Sequence, residues 1–216
     1  MTHASTRHDA IARRILDAAG PIFAERGFRQ TTVRDICRRA RVNVAAINYY
    51  YGDKRRLYAA ALKHGRESAL LRFPPDRGLG AHPSPDERLH AFVHSFLSRF
   101  LAVGQPEWYG KLCMREMAEP SGVLDDLVNE MVRPMFERLR KIVRDLLGRG
   151  ATNEQVRLCA LSVVGQCMHY YYARSVLQRL FPRRPVDARA IEPIARHITQ
   201  FSLSAIRRMS RSKESR

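Results

Sequence analysis

Residues 42–58, VNVAAINYYYGDKRRLY, set three consecutive tyrosines between an alanine-rich run and three consecutive cations. Two arrangements accommodate that order. One is a buried strand end with a solvated, charged turn behind it. The other is a short helix and the start of the next, both pressed against a polyanion. The surrounding sequence separates them. Strand signals are almost absent, with no sustained alternation and no Asn-Gly hairpin, while apolar residues recur at helical spacing along the chain.

Working outward, a first helix is expected over residues 6–26, with Ile11, Ile15, Leu16, Ala19, Ile22 and Phe23 on one face and Gly27 as its stop. Thr32, three residues before Asp35, opens a second helix that runs to Ala40. Asn43 caps a third over residues 44–50, and Asp53 caps a fourth over residues 54–71. Two short helices joined by a three-residue turn have helix-turn-helix spacing. Ile47 and Tyr51, four apart, turn inward and leave Val44, Ala45 and Asn48 outside. Small residues there let a helix lie deep in a major groove about 12 Å wide, where Asn48 suits adenine and Val44 or the alanines suit a thymine methyl. An ordinary alanine-rich surface helix has the same pattern.

The cations bear on that choice. Lys54, Arg55 and Arg56 fall in a helical first turn, where the macrodipole disfavours positive charge by about 0.3–1 kcal/mol each. Arg34 repeats the arrangement one helix earlier. A folded monomer gains nothing from this placement, so an external phosphate track is expected. The overall charge agrees: of a net +17, residues 1–72 hold 15 Lys/Arg against 6 Asp/Glu, residues 73–173 hold 12 of each, and residues 174–216 hold 11 against 3. Basic ends around a neutral middle suit a segregated polyanion-binding region, although a generally Arg-rich composition yields the same total.

The segment GFRQTTVRDICRRARVNVAAINYYYGDKRRLY resembles the DNA-binding segment of TetR-family transcriptional repressors, over about fifty residues from Ile11 to Leu62. The resemblance implies base-edge contacts for Arg34, Val44, Ala45, Ala46 and Asn48, and phosphate contacts for Thr32, Asn43, Tyr49, Tyr50 and Lys54. It places Tyr51 at a buried aromatic position. Two departures stand out: Arg41 occupies a turn position where the family usually has glycine, and Asp53 replaces the usual serine cap. NVAAINYYYGDKRRLY, MREMAEPSG and VRPMFERL together resemble the CecR-like branch, which implies a sensor of small molecules, antibiotics included, that represses export genes.

A chain of 216 residues holds one sizeable domain or two small ones. The proline- and glycine-rich stretch RFPPDRGLGAHPSPDE marks the boundary, giving a helix-turn-helix domain at 1–72 and a ligand-binding and dimerisation domain at 73–216. Helices are expected over residues 85–103, 106–119, 122–147 (kinked at Pro134), 153–180 and 187–209, with residues 210–216 unstructured. The last helix carries the stripe Ile191, Ile194, Ile198, Phe201, Ala205 and Met209. The fold class is therefore all-α, an N-terminal three-helix helix-turn-helix domain followed by a larger helical bundle.

Phe92, Phe96, Phe100, Trp108, Met114, Met131, Met135 and Met168 could line an apolar effector pocket, though at helical spacing they equally suit a core. Arg115, Glu116, Gln166 and His169 are the polar candidates. His90 and His94 make half a metal site with no third ligand at local spacing, so no metal or other cofactor is expected. No nucleotide or nucleophile motif appears, and an enzyme is not expected. The four cysteines read as reduced core thiols, and no apolar run approaches the roughly 18 residues needed to span a bilayer, so a cytoplasmic location is expected. The expected partners are duplex DNA carrying a palindromic operator, a small-molecule effector and a second copy of the chain, since one helix-turn-helix reads too few base pairs. A basic architectural DNA-binding protein without an effector is the alternative.

Overall fold

The structure is a computed structural model that describes residues 3–101 and 107–214. Among these residues all regular secondary structure is helical, with no strand. The chain forms two compact units: residues 3–71 with 107–132, and residues 72–101 with 133–214.

The first unit opens with α1 (His3–Gln30), whose regular course ends where Gly27 takes φ 78°. α2 (Val33–Ala40), α3 (Val44–Tyr51) and α4 (Lys54–Arg72) follow. Ile15, Phe23, Ile36, Ile47, Leu57 and Tyr58 form its core, each 1 % exposed or less. Phe23 and Tyr58 meet edge to face at 4.8 Å between ring centroids. Gly27 is required twice over: its positive φ suits glycine, and an added Cβ would come within 2.6 Å of Arg115 Nε.

The sequence boundary at residue 72 assigns residues 107–132 to the C-terminal domain, but the structure joins them to the first unit. α6 (Glu107–Ala118) packs on α1 and α4 where glycines remove side-chain bulk. A Cβ on Gly20 would lie 2.5 Å from the Trp108 ring, and one on Gly65 would lie 2.8 Å from Tyr109. Arg115 donates to the Glu25 carbonyl at 2.9 Å, and Leu112 is fully buried. Aromatic bulk on α6 fills space left by glycines far earlier in the chain, a match that local sequence reading does not reveal.

The expected helix over 122–147 is divided. α7 (Leu124–Leu127) runs into a π-helical turn over Val128–Val132, and α8 (Arg133–Leu147) resumes. Pro134 has no N–H to donate, and the widened turn accommodates the missing bond. The division between the two units falls at this point.

In the second unit, α5 (Pro85–Leu101), α8, α9 (Asn153–Tyr172) and α11 (Ile191–Glu214) surround a core that includes Leu89, Val93, Leu139, Val163 and Ile198. The expected ends of the 85–103 and 106–119 helices at residues 103 and 106 lie outside the described residues. The expected 153–180 helix breaks at Ala173 (φ −85°, ψ 5°), after which α10 (Arg174–Leu180) continues. α11 extends to Glu214, past the predicted end at residue 209. Its predicted stripe is split: Ile191 and Ile198 are buried in this unit, while Phe201 is 61 % exposed and Met209 47 %. The four cysteines are buried thiols outside any disulfide, and burial pushes the Cys167 thiol up to about 12.

The α1–α6 contact generates a test. Gly20→Ala should gain about 1 kcal/mol of helix propensity yet lose more to overpacking against Trp108, for a net loss of about 1–2 kcal/mol. Urea unfolding that shows a stabilised variant would remove Trp108 from this contact.

Candidate nucleic-acid interface

α2 begins with a full capping box. The Thr32 hydroxyl accepts from Asp35 N at 3.2 Å, and Asp35 Oδ2 accepts from Thr32 N at 3.2 Å and from the Thr32 hydroxyl at 2.6 Å. These hydrogen bonds from Thr32 hold the Asp35 carboxyl below the ordinary carboxylate range. After Ala40 the chain turns through Arg41 at φ 53°, ψ 51°, the one non-glycine residue with positive φ among the described residues. That conformation costs an L-residue about 1–2 kcal/mol. The departure from glycine at this position is therefore a strained one. Val42 N donates to the Cys37 carbonyl at 3.1 Å, and an Arg14 guanidinium N–H donates to the Arg41 carbonyl at 3.4 Å.

Asn43 then caps α3, its Oδ1 accepting from Ala46 N at 2.8 Å. Successive residues on a helix point about 100° apart, so three consecutive tyrosines cannot share one environment. Ile47 is fully buried. Tyr51 follows it inward and donates its hydroxyl to the Ala12 carbonyl at 2.7 Å. Burial pushes the Tyr51 phenol up to about 12, so the donor stays protonated well into alkaline pH. Tyr49 is left 75 % exposed. Tyr50 is half-buried and lies 4.6 Å from the His8 ring, a neighbour on α1 that the sequence pattern does not signal.

The outward side of α3 carries Val44, Ala45, Asn48 and Tyr49, all exposed, with Ala46 half-buried. Arg34 is exposed on α2, and neither its guanidinium nor the Asn48 amide has a hydrogen-bond or ion-pair partner among the described residues.

The cations after the tyrosines require a correction. Far from gaining nothing, the folded chain uses them. Lys54 Nζ donates to the Thr31 carbonyl at 3.0 Å and stands 4.4 Å from the Phe28 ring centroid. Arg55 donates to the Gly122 carbonyl, and Arg56 reaches Asp53 at 4.0 Å. The dipole penalty at the start of α4 is offset internally, as well as being open to an external phosphate. The Thr32 hydroxyl is likewise committed to Asp35, so its first role is to cap the helix.

The residues expected to line an effector pocket are divided between the units. Trp108, Met114 and Met131 lie in the first, where Met131 borders a small cleft of about 180 Å³ with Lys63 and Glu130. Phe92 and Phe96 are core residues of the second unit, and Phe100, Met135 and Met168 pack against that core. Two of the polar candidates serve the fold: fully buried Glu116 accepts from Ser121 N at 3.0 Å, and Gln166 reaches Ser202 Oγ at 3.2 Å.

A cavity of about 730 Å³ in the second unit is walled by Phe73, Arg77, His90, His94, Glu192 and Arg196 among others. Part of its wall is the Pro/Gly-rich stretch read from sequence as a boundary, held by the Ser95 hydroxyl donating to the Phe73 carbonyl at 2.6 Å. Glu192 Oε2 lies 3.4 Å from His90 Nε2 and 3.9 Å from His94 Nε2, a carboxylate brought in from α11 that local spacing could not show. Burial draws the His94 imidazole below its ordinary range, against the opposing pull of Glu192. Among the described residues no group of three His, Cys, Asp or Glu side chains is arranged to hold a metal ion, and no helix is long and apolar enough to cross a membrane.

A capped helix-turn-helix with an exposed outer face, accompanied by a second helical unit, defines a DNA-binding transcriptional regulator. The TetR-family profile, described as bacterial regulatory proteins, matches residues 15–61. A second profile, described as the C-terminal domain of the HTH-type transcriptional dual regulator CecR, matches residues 85–206. The chain belongs to the TetR family of transcriptional regulators, in its CecR-like branch. It is 23 % identical over 176 residues to the dual regulator CecR of Shigella flexneri, covering 76 % of this chain and 77 % of that one. It is 41 % identical over 59 residues to the transcriptional repressor Rv3405c of Mycobacterium tuberculosis, covering 27 % and 31 % respectively.

Three solved structures share the fold. A TetR-family regulator from Streptomyces coelicolor has a TM-score of 0.67 at 17 % identity, covering 92 % of this chain and 97 % of that one. A transcriptional regulator from Saccharomonospora viridis in complex with choline has 0.66 at 18 %, covering 89 % and 95 %. FadR from Bacillus subtilis in complex with stearoyl-CoA has 0.66 at 17 %, covering 89 % and 97 %.

The two kinds of site residue should separate on stability. Lys54→Ala should cost about 1–2 kcal/mol of folding free energy, from a charged hydrogen bond and a cation–π contact in partial solvent. Tyr49→Ala and Asn48→Ala should change it by less than about 0.5 kcal/mol. Chemical denaturation that ranks the three alike would contradict this division.

Proposed function

We propose that this protein is a homodimeric repressor that holds a palindromic operator and releases it on binding a small hydrophobic effector. The observation that carries the reading is the outer face of α3: Asn48 with a free amide between the small, exposed Val44 and Ala45 and the 75 % exposed Tyr49. Asn48, Val44, Ala45, Ala46 and Arg34 are assigned to base edges. Tyr49, Tyr50, Asn43, Lys54 and Thr32 are assigned to the backbone, with Lys54 and Thr32 also holding the local fold. Ligands in two proteins of the same fold, choline and stearoyl-CoA, support an effector role for the second unit.

Dimerisation is supported by apolar side chains that the second unit leaves uncovered. Leu158 and Leu161 on α9 are 49 % and 45 % exposed, alongside Phe201 and Met209 on α11. Pairing α9 and α11 with their symmetry mates would cover them in a four-helix, two-fold interface. Ile198, by contrast, is 1 % exposed within its own unit. A charge there would unfold the unit, so Phe201 is the proper probe.

Footprinting on the DNA flanking the protein's own gene tests the reading, and a symmetric protected site is expected. Asn48→Ala should then weaken operator binding by about 1–3 kcal/mol while leaving random DNA unaffected. Equal losses on both would remove its base-reading role. Phe201→Glu should sediment as a folded monomer with weakened operator affinity. A variant that remains dimeric would move the interface elsewhere.

A further inference from the structure

The basic C-terminal segment is not absorbed by the helix-turn-helix. Residues 174–196 contain six arginines against Asp187 and Glu192. Some of these arginines have partners: Arg196 pairs with Glu192 at 2.9 Å, and Arg179 donates to the Ser175 carbonyl at 2.7 Å. The guanidinium groups of Arg184 and Arg189 have none among the described residues, and both line a cavity of about 760 Å³. Its walls come from the end of α9, from α10, from the turn before α11 and from the first residues of α11. Apart from the arginines they are mainly apolar, with Tyr170, Leu177, Val186 and Ile194 among them. Phe181, 54 % exposed, also contributes.

One acid, Asp187, lines the cavity beside the two arginines. The Asp187 carboxylate accepts from Arg189 N at 2.9 Å and caps the 3₁₀ turn Ala188–Ala190, so it is held against the backbone. The volume falls within the roughly 300–1,000 Å³ typical of small-molecule sites. A concave apolar cavity of that size is far too small to admit a DNA duplex. An apolar hollow gains from any apolar occupant, whereas two guanidinium groups against one carboxylate leave a net positive lining that selects an anion they can bind in forked geometry.

We propose that this cavity binds an amphiphilic organic anion, with its apolar body against Leu177, Val186 and Ile194 and its carboxylate or equivalent head group on Arg184 and Arg189. The site stands whether or not its occupant alters operator affinity, so it is independent of the repressor reading.

Calorimetric titration of the full chain with decanoate, and with 1-decanol as the uncharged analogue, tests it. Saturable one-to-one binding of decanoate is expected. The Arg184→Ala/Arg189→Ala double variant should weaken decanoate binding by about ten-fold or more, the effect of losing charged hydrogen bonds, while decanol binding changes little. Both arginines are exposed, so the double variant should fold as the parent does, as checked by its circular dichroism melt. Ala190→Trp, which adds bulk to the cavity wall, should diminish binding of both ligands. Absence of decanoate binding, equal losses of acid and alcohol in the double variant, or a decanoate affinity indifferent to the arginines would overturn the proposal. Operator binding measured in parallel reports separately on the repressor reading.

Discussion

The hydrogen bond from the Tyr51 hydroxyl to the Ala12 carbonyl, beside fully buried Ile47, fixes the rotation of α3 about its own axis. Every other statement about the interface depends on that rotation. With about 100° between successive residues, anchoring Tyr51 and Ile47 inward leaves Asn48 and Tyr49 no inward position. Turning α3 by one residue would expose Ile47 and bury the Asn48 amide without a partner, two penalties of a few kcal/mol together. The reading face is thus held in place by what lies behind it.

The same economy of space governs the rest of the first unit. Gly20 and Gly65 let α6 approach α1 and α4 closely enough for Trp108 and Tyr109 to fill the gap. Gly27 and Arg41 turn the chain at positive φ on either side of α2, one without strain and one with it. Lys54 ties the start of α4 to the Thr31 carbonyl between those turns. The cations that sequence logic reserves for phosphate therefore do structural work first. A basic helix start is satisfied by nearby carbonyls as readily as by an external anion.

Much of this was legible in the sequence, because it rests on local rules. Capping at Thr32 and Asn43, the stop at Gly27 and the inward turn of Ile47 and Tyr51 each depend on a few neighbouring residues. The helix starts at Val33, Val44, Lys54, Pro85 and Asn153 follow for the same reason. The ends of the long helices were less legible. The break at Ala173 and the π-helical turn before Pro134 interrupt segments whose apolar periodicity runs on without pause.

What the sequence by itself determined was the all-helical class, the helix-turn-helix and the face of α3 that looks outward, since helical periodicity and caps act over one or two turns. Only the tertiary structure decided where distant side chains end. It joined residues 107–132 to the first unit, brought Glu192 to His90 and His94, gave Lys54 and Arg55 partners in Thr31 and Gly122, and left Arg184 and Arg189 unpaired over an apolar cavity. Packing and charge pairing act through space between residues far apart in the chain, and no local pattern encodes which of them will meet.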